Sequence, residues 1–209
     1  MLDAYAFATS SSCAPRIRAE LALPIDPAAE PLTLDQAKLL AGLDWAAGDP
    51  RDQMMQDFIA AARAQVEQDT NRALPSQARD LFFDALPATV AWHALPPQTV
   101  PLQTVTSVSA IDSQGVSTPL DPTAYAVTIT NDGLTIAILT PPAATAQRWV
   151  VRVQSGYVTP PPSLLHAVGL LTAHYATAGR DLTIVGTIVA TTPLGYTEAI
   201  AAHIVVMLP

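Results

Sequence analysis

The order of helix and strand signals along this 209-residue chain limits its possible folds more than any single motif does. Two helix signals come first, at residues 34–41 and 51–72, and a third comes late, at residues 162–178. Between the second and third signals, over about residues 79–157, apolar residues alternate with polar ones, as is typical of β-strands. The sequence therefore predicts an α+β fold, in which a helical bundle core of these three helices carries an inserted antiparallel β region and extended termini.

Polar residues and glycines mark where the three helices begin and end. Thr33 and Gln36 form a capping box, and Gly42 offers a left-handed stop. Asp49 is expected to cap the second helix, with a proline at the first helical position, where no N–H is needed. Gly179 is expected to end the third helix. Apolar stripes at a helical spacing are predicted for Met55, Ile59, Ala62 and Val66 and for Leu164, Val168, Leu171 and Tyr175.

The middle of the chain divides into short strands. Residues 125–129 and 134–138 alternate on either side of Asn131-Asp132-Gly133, which predicts a β-hairpin. Prolines in this region confine the strands to short lengths and to sheet edges. Further strands are predicted at residues 81–84, 105–111, 116–118 and 149–153, the middle two joined by a turn at residues 112–115.

Three parts of different character follow from these signals. Residues 1–31 contain four prolines and no sustained period, so we expect an extended arm outside the packed fold. Residues 32–180 form the folded domain, and residues 181–209 form a C-terminal tail. The N-terminus lacks the features of a signal peptide and no apolar run approaches the ~20 residues that cross a bilayer, so no membrane association is expected. Cys13 is the only cysteine, which excludes an internal disulfide.

The chain is poor in charge and acidic. Charged residues make up 13% of it, whereas ordinary globular domains carry about 25%. This deficit favours a surface that partners or further copies cover, although a surface rich in Ala, Thr, Ser and Pro gives the same figure. The formal net charge of −8 and the pI of 4.7 argue against a protein that grips nucleic acid, because phosphate binding needs clustered Lys and Arg.

No pattern typical of catalysis or metal binding is present in the sequence. His166 and His174 lie eight residues apart on one helix, about 12 Å along its axis, so they cannot share a metal ion. Ser163 is close to His166 in sequence, but neighbours on one helix do not form a triad, and there is no Gly-x-Ser-x-Gly elbow and no glycine-rich phosphate loop. We therefore expect no catalytic residue, no metal site, no cofactor and no enzymatic activity.

Three segments are informative through their amino-acid sequences and their order along the chain. They are residues 31–38 (PLTLDQAK), residues 58–67 (FIAAARAQVE) continuing to 70–74, and residues 158–162 (VTPPP) leading into 167–175. Together they resemble the head–tail connector family (adaptor or head-completion proteins) of long-tailed double-stranded DNA phages and related gene transfer agents. The resemblance covers roughly residues 31–203.

The resemblance implies a structural virion protein of the neck, assembled in the host cytoplasm. Such proteins form a homo-oligomeric ring, commonly a dodecamer, under the portal protein, and they extend the DNA channel towards a stopper or tail-terminator protein. DNA then passes through the lumen without specific binding, and no cofactor takes part. An acidic channel lining agrees with this role, because it repels phosphates.

The C-terminal tail departs from the family, since residues 204–208 are apolar where a polar finish is usual. We expect the portal interface there, unless the same residues complete the chain's own core: Tyr196, Ile200, Ile204, Val205 and Met207. Residues 182–190 are apolar and β-branched and are the candidate for contact with a neighbouring subunit, through Leu182, Ile184, Val185 and Ile188.

Two other functions remain open at this point. A stopper or tail-terminator subunit also forms rings but usually has more sheet and less helix, so the clear helices favour an adaptor. A module that binds a small ligand or a sugar needs a polar and aromatic cluster on one face, whereas the aromatic residues of this sequence are dispersed.

Overall fold

Helices and antiparallel strands make up the structure, a computed structural model that describes residues 17–20, 29–86, 89–91, 94–96, 98–130, 133–140, 146–178 and 195–205. The helices are α1 (Leu34–Leu40), α2 (Arg51–Thr70), α3 (Pro162–Ala178) and α4 (Tyr196–Ala201). The strands are β1 (Ile17–Glu20), β2 (Gln77–Phe83), β3 (Thr89–Ala91), β4 (Leu102–Ile111), β5 (Ser117–Pro119), β6 (Tyr125–Ile129), β7 (Gly133–Ile138) and β8 (Arg148–Ser155). The predicted α+β class is confirmed.

The capping box predicted for α1 is present, whereas the N-cap position of α2 is Pro50, one residue after the predicted Asp49. The Gln36 N–H donates to the Thr33 hydroxyl at 3.3 Å, and the Thr33 N–H donates to the Gln36 side-chain oxygen at 2.9 Å, which completes the capping box. Before α2, the Asp49 carboxylate accepts the Arg51 N–H at 2.9 Å. Each contact satisfies a backbone donor that a helix start leaves free.

The helix ends agree with the sequence to within two residues. α1 ends at Leu40 instead of residue 41, and Gly42 follows with the predicted left-handed φ of +63°. α2 ends at Thr70 instead of residue 72, because Asn71 adopts a left-handed φ of 55° and stops the helix. α3 spans the predicted range.

The four described helices pack around one apolar core. Phe58 near the start of α2 lies against Tyr175 near the end of α3, with 6.5 Å between ring centroids, as in an antiparallel helix pair. Gly169 in α3 allows Leu40 of α1 to approach, since a Cβ at Gly169 would lie 2.7 Å from the Leu40 Cδ1. The predicted stripe residues are buried in this core: Met55, Ile59, Ala62, Val66, Leu164, Val168 and Leu171.

The described strands form two antiparallel sheets that share a second apolar core. The larger sheet has the order β1-β2-β8-β4-β5, and the smaller sheet has the order β3-β7-β6. The two sheets therefore form a sandwich beside the helical bundle. Its buried side chains include Leu81, Phe83, Leu95, Val108, Leu134, Ile136, Val151 and Val153.

The predicted strands are present, and three of them are clearly longer than predicted. β6 and β7 form the predicted hairpin, with Tyr125 opposite Ile138, and β4 pairs with β5 across the predicted turn. β2 begins at Gln77, β4 begins at Leu102 and β8 ends at Ser155. The β region thus begins two residues before position 79, and its described strand pairs are antiparallel as expected. Two isolated parallel bridges, Arg72–Val100 and Pro75–Tyr157, lie outside these strands.

One strand lies inside the predicted N-terminal arm. β1 pairs antiparallel with β2, with Ile17 opposite Phe83 and Glu20 opposite Asp80, so it forms an edge of the larger sheet. The expectation of an unpacked arm missed this strand. Four residues are too few to give a detectable period, and the three-residue β3 was missed for the same reason.

Buried charged side chains lie where α2 and β2 come close to each other. Glu67 in α2 is 4% exposed, and its carboxylate accepts the Leu74 N–H at 2.8 Å and the Arg63 Nη1 at 2.7 Å. Arg63 also donates through Nε to Glu30 at 2.8 Å. Burial raises the pKa of Glu67, against the opposing effect of these donors. Burial likewise lowers the pKa of Arg79 in β2, and the nearby Glu67 opposes that shift.

The backbone at the end of β8 and the backbone before β2 approach closely at Gly156. This residue has a φ of +96°, and a Cβ there would lie 2.0 Å from the Pro75 carbonyl oxygen. The Gly156 N–H donates to the Pro101 carbonyl at 2.8 Å, and the Tyr157 N–H donates to the Leu74 carbonyl at 3.0 Å. Only glycine combines this conformation with this backbone approach.

Some predicted features lie outside the described residues. They are the turn residues 131–132, Gly179, residues 182–190 and Met207. Among the helices in the described ranges, none is both long enough and apolar enough to span a bilayer.

Candidate functional site

The root of the C-terminal tail is packed into the helical bundle. Tyr196 and Ile200, both in α4, are 3% and 5% exposed and belong to the bundle core. The Tyr196 hydroxyl donates to Asp69 of α2 at 2.6 Å, and the other oxygen of Asp69 accepts from Gln65 at 2.8 Å. Burial, followed by the bond to Asp69, raises the pKa of Tyr196. Both side chains are thus already enclosed by this chain, which leaves them little surface for a partner.

The residues after α4 are held by polar contacts at the end of α2. Arg72 donates through Nε to the His203 carbonyl at 2.5 Å, and the Asn71 side-chain amide donates to the Val205 carbonyl at 2.9 Å. The Val205 N–H donates in turn to the Thr70 carbonyl at 3.0 Å. These bonds hold the backbone of residues 203–205 against the end of α2.

The proposed portal residues therefore have different surroundings. Tyr196 and Ile200 are core residues, and Val205 is partly buried with both backbone groups bonded. Ile204 is 46% exposed. Met207 and all four proposed subunit-contact residues, Leu182, Ile184, Val185 and Ile188, lie outside the described residues. The polar contacts that anchor the tail were not predicted, because the bonded pairs lie more than 100 residues apart and no sequence spacing indicates them.

A serine–histidine pair connects α3 to this segment. The Ser163 hydroxyl lies 2.7 Å from the His203 Nε2, whereas His166, the histidine considered from the sequence, is exposed. Burial, followed by the nearby Arg72, lowers the pKa of His203. Within the described residues no carboxylate bonds to His203, so the pair lacks the third group that orients a catalytic base. We interpret it as a clasp between α3 and the tail root.

No metal-binding cluster is present in the part of the chain that the structure describes. The best-formed polar and aromatic group lies between α1 and α2. There the Asp52 carboxylate accepts from the Trp45 indole N–H at 2.7 Å and pairs with Lys38 at 2.7 Å. Arg51 lies 4.5 Å from the centre of the Trp45 ring. These groups satisfy one another and hold α1 against the start of α2.

The described basic side chains are bonded to other groups of this chain or buried. Of the ten Lys and Arg residues, the structure describes the side chains of seven. Arg72 bonds to the tail root, and Arg79 is buried. The remaining five are ion-paired, as Lys38–Asp52, Arg51–Asp49, Arg63–Glu30 and Glu67, Arg148–Asp84 and Arg152–Asp80. The bond from Arg51 holds the pKa of Asp49 below its usual range, and the bond from Lys38 does the same for Asp52.

Apolar side chains, by contrast, remain at the surface. The most exposed are Val158 at 84%, Leu39 at 81% and Leu139 at 63%. Leu39 borders a groove of about 440 Å³ at the α1–α2 corner. The other large exposed apolar residues are Leu40, Met54, Val116, Ile129 and Ile204. The described surface therefore offers apolar contacts and carboxylates to a partner, and few free cations.

No protein-family model and no curated protein matches this sequence. Three solved structures resemble the chain along most of its length. A chain of the neck of an empty gene transfer agent (GTA) particle, computed with C6 symmetry, is 24% identical, with 92% of this chain and 97% of that chain covered and a TM-score of 0.66. A chain of the virion of a native GTA particle is 22% identical, with coverages of 91% and 97% and a TM-score of 0.66. A chain of the neck of a native GTA particle, computed with C12 symmetry, is 24% identical, with coverages of 77% and 87% and a TM-score of 0.57. At these identities the similarity establishes the shared fold.

Proposed function

We propose that this chain is a structural, non-enzymatic subunit of a virion neck. The observation that carries the proposal is the fold similarity to a GTA neck chain, which extends over 92% of this chain and 97% of the other. Because so little of either chain is left unmatched, the similarity concerns the whole architecture and not one part of it. The segment resemblance at residues 31–38, 58–67 and 158–162 supports the same role independently of the fold.

Within the neck, we assign the chain to the head–tail connector or adaptor ring between the portal and the tail. The two GTA necks that contain structurally similar chains were computed with C6 and C12 symmetry. A ring of twelve copies is compatible with both, since a twelvefold ring also has sixfold symmetry. Exposed apolar residues and a low charge content suit a subunit whose flanks are covered by its neighbours.

The charge distribution supports passage of DNA through such a ring without binding. The described basic side chains are paired or buried, so they are not available to release counterions from phosphates. Each copy carries a formal net charge of −8, and a ring multiplies this charge around one lumen. A lumen of that sign repels the duplex and lowers friction during passage.

The portal contact is best assigned to the tail beyond its anchored root. Tyr196 and Ile200 hold the root in the bundle, and Ile204 is the exposed residue of the expected set. The sequence continues with Val206, Met207, Leu208 and Pro209, which carry no charge. Apolar burial contributes about 25 cal/mol per Å² and is repeated in every copy of a ring, so even small contacts give tight attachment.

The test is reconstitution with the portal protein from the same particle. Purified chain and portal are mixed and imaged by electron microscopy, and we expect a ring on the portal. The double variant Ile204→Asp with Met207→Asp should abolish attachment while the thermal unfolding temperature stays unchanged. The double variant Ser117→Asp with Thr118→Asp, which adds the same two charges at exposed polar residues, is the matched control and should attach normally. Normal attachment of the double variant would exclude the tail as the portal contact.

The same experiment separates the adaptor role from that of a stopper or tail terminator. The structure describes eight strands, so the amount of sheet no longer distinguishes the two roles. An adaptor binds the bare portal, whereas a stopper binds only after the adaptor ring is present. Failure to bind the portal, with binding to a completed portal–adaptor complex, would assign the chain to the next ring.

A further inference from the structure

The sheet edges differ in how they are protected from pairing with another chain. Exposed edges in natural proteins are blunted by charge, proline or short length. β1 includes Arg18 and Glu20, β3 has three residues, and β5 has three residues and ends in Pro119. β6, with the sequence YAVTI, has five residues, no charge and no proline. Among the described edge strands it is the one without such protection.

The backbone groups of β6 that face away from β7 follow from the register. The Thr130 N–H donates to the Gly133 carbonyl at 2.9 Å, which fixes the alternation of the β6–β7 ladder. Ladder bonds recur at every second residue of an antiparallel strand, so Thr128 and Ala126 bond to β7. The outward groups therefore belong to Tyr125, Val127 and Ile129. In the described residues β4 comes near β6, but the two strands share no ladder.

Residues 182–190, outside the described part of the chain, have the chemistry that such an edge accepts. Their sequence is LTIVGTIVA, with no charge, no proline and six β-branched residues. Nine extended residues span about 30 Å and the five residues of β6 about 17 Å, so the segment is long enough to pair with the whole edge. On the basis of the proposed ring, we infer that residues 182–190 of one copy add a strand to β6 of the neighbouring copy.

The position of the segment in the chain favours a neighbour over the same copy. The segment follows α3, which ends at Ala178, and precedes α4, which begins at Tyr196, so it leaves the helical bundle and returns to it. β6 belongs to the sandwich, and its main contacts are with β7, β4 and the preceding turn. We assign the segment to a neighbouring copy because the proposed ring places copies side by side.

Disulfide formation between two differently substituted chains tests the pairing. Both chains carry Cys13→Ser. One adds Thr128→Cys, whose side chain is exposed on β6, and the other adds a single cysteine at each position from 182 to 190 in turn. Thr128 faces an added strand as a non-hydrogen-bonded pair, with Cα atoms about 4.5 Å apart, which is within disulfide range. The mixtures are oxidised with and without portal and analysed on non-reducing gels. Thr118→Cys on the protected β5 edge replaces Thr128→Cys as the control.

We expect disulfide-linked dimers at alternate positions of the segment with Thr128→Cys and none with Thr118→Cys, because side chains of a paired strand alternate between two faces. Rings on the portal without this alternating pattern would overturn the pairing and leave the proposed function intact. Alternating dimers without rings would support the pairing and count against the ring. Absence of both would overturn both. A third variant carries Thr128→Cys and the segment cysteine in one chain. A disulfide that forms only within that chain would show that the edge is filled by the same copy and would overturn the pairing between copies.

Discussion

The replacement of Ile200 and of Ile204 by alanine separates a core residue from a contact residue within one short segment. The two side chains are identical and four positions apart, yet Ile200 is 5% exposed and Ile204 is 46% exposed. Ile200→Ala removes the same three carbon atoms as Ile204→Ala, so any difference between the variants reports on their surroundings and not on their chemistry.

The expected size of the effect follows from burial. Removal of a buried Ile side chain costs about 2–5 kcal/mol, and the better helix propensity of alanine in α4 returns a few tenths of this. We expect a loss of roughly 3 kcal/mol for Ile200→Ala, which lowers the melting temperature by about 6–12 °C in a chain of this length. Ile204→Ala should change the unfolding free energy by less than about 0.5 kcal/mol, as is usual at exposed positions.

Thermal and urea unfolding of the isolated chain measure the first effect, and attachment to the portal measures the second. We expect opposite outcomes: Ile200→Ala weakens folding, and Ile204→Ala weakens attachment without an effect on folding. Equal melting temperatures for the two variants would mean that α4 does not dock in the bundle, and Ile200 would then be available to a partner.

Three further predictions concern the junction, the turns and DNA. Burial raises the pKa of Glu67, so the folded state keeps the Glu67 proton to higher pH than the unfolded chain does. The stability of the native chain relative to the Glu67→Gln variant should therefore fall as pH rises above about 4.5. Urea unfolding midpoints measure this, and a difference between the two chains that does not change with pH would refute it. Gly156→Ala should destabilise the fold far more than Gly115→Ala. Both glycines have a positive φ, but of the two only Gly156 would bring a Cβ against backbone atoms. Similar melting temperatures for the two variants would contradict the close approach of Gly156 to Pro75. The chain should not retard duplex DNA in a gel at about 50 mM salt, because its described cations are ion-paired, bonded within the chain or buried. A clear shift would point to basic residues outside the described part.

Local signals account for the part of the fold that sequence reasoning predicted correctly. The Thr33–Gln36 capping box, the stripe from Met55 to Val66 and the β6–β7 hairpin all depend on residues that are close to each other in the sequence. Side-chain size and backbone preference fix such features before any tertiary contact forms, which is why their boundaries agree within a few residues.

Long-range contacts account for what was missed. The Tyr196–Asp69 and Ser163–His203 bonds join residues 127 and 40 positions apart, and β1 is a strand because β2 offers it an edge. The apolar character of Tyr196 and Ile200 fits both a core and an interface, since either environment removes them from water. Only the position of α4 in the bundle distinguishes the two, and composition carries no information on that position.

The pairing of cations within the chain leads to a last prediction, on how copies associate. Copies with a net charge of −8 repel one another, and the described surface offers few free cations to compensate by ion pairs between copies. Association must then depend on apolar contacts, whose strength added salt does not reduce. Screening shortens the Debye length from about 10 Å at 0.1 M to 3 Å at 1 M and weakens the repulsion. Self-association measured by analytical ultracentrifugation should therefore become stronger from low to high sodium chloride. Weaker association at high salt would show that ion pairs between copies, formed by basic residues outside the described ranges, hold the assembly together.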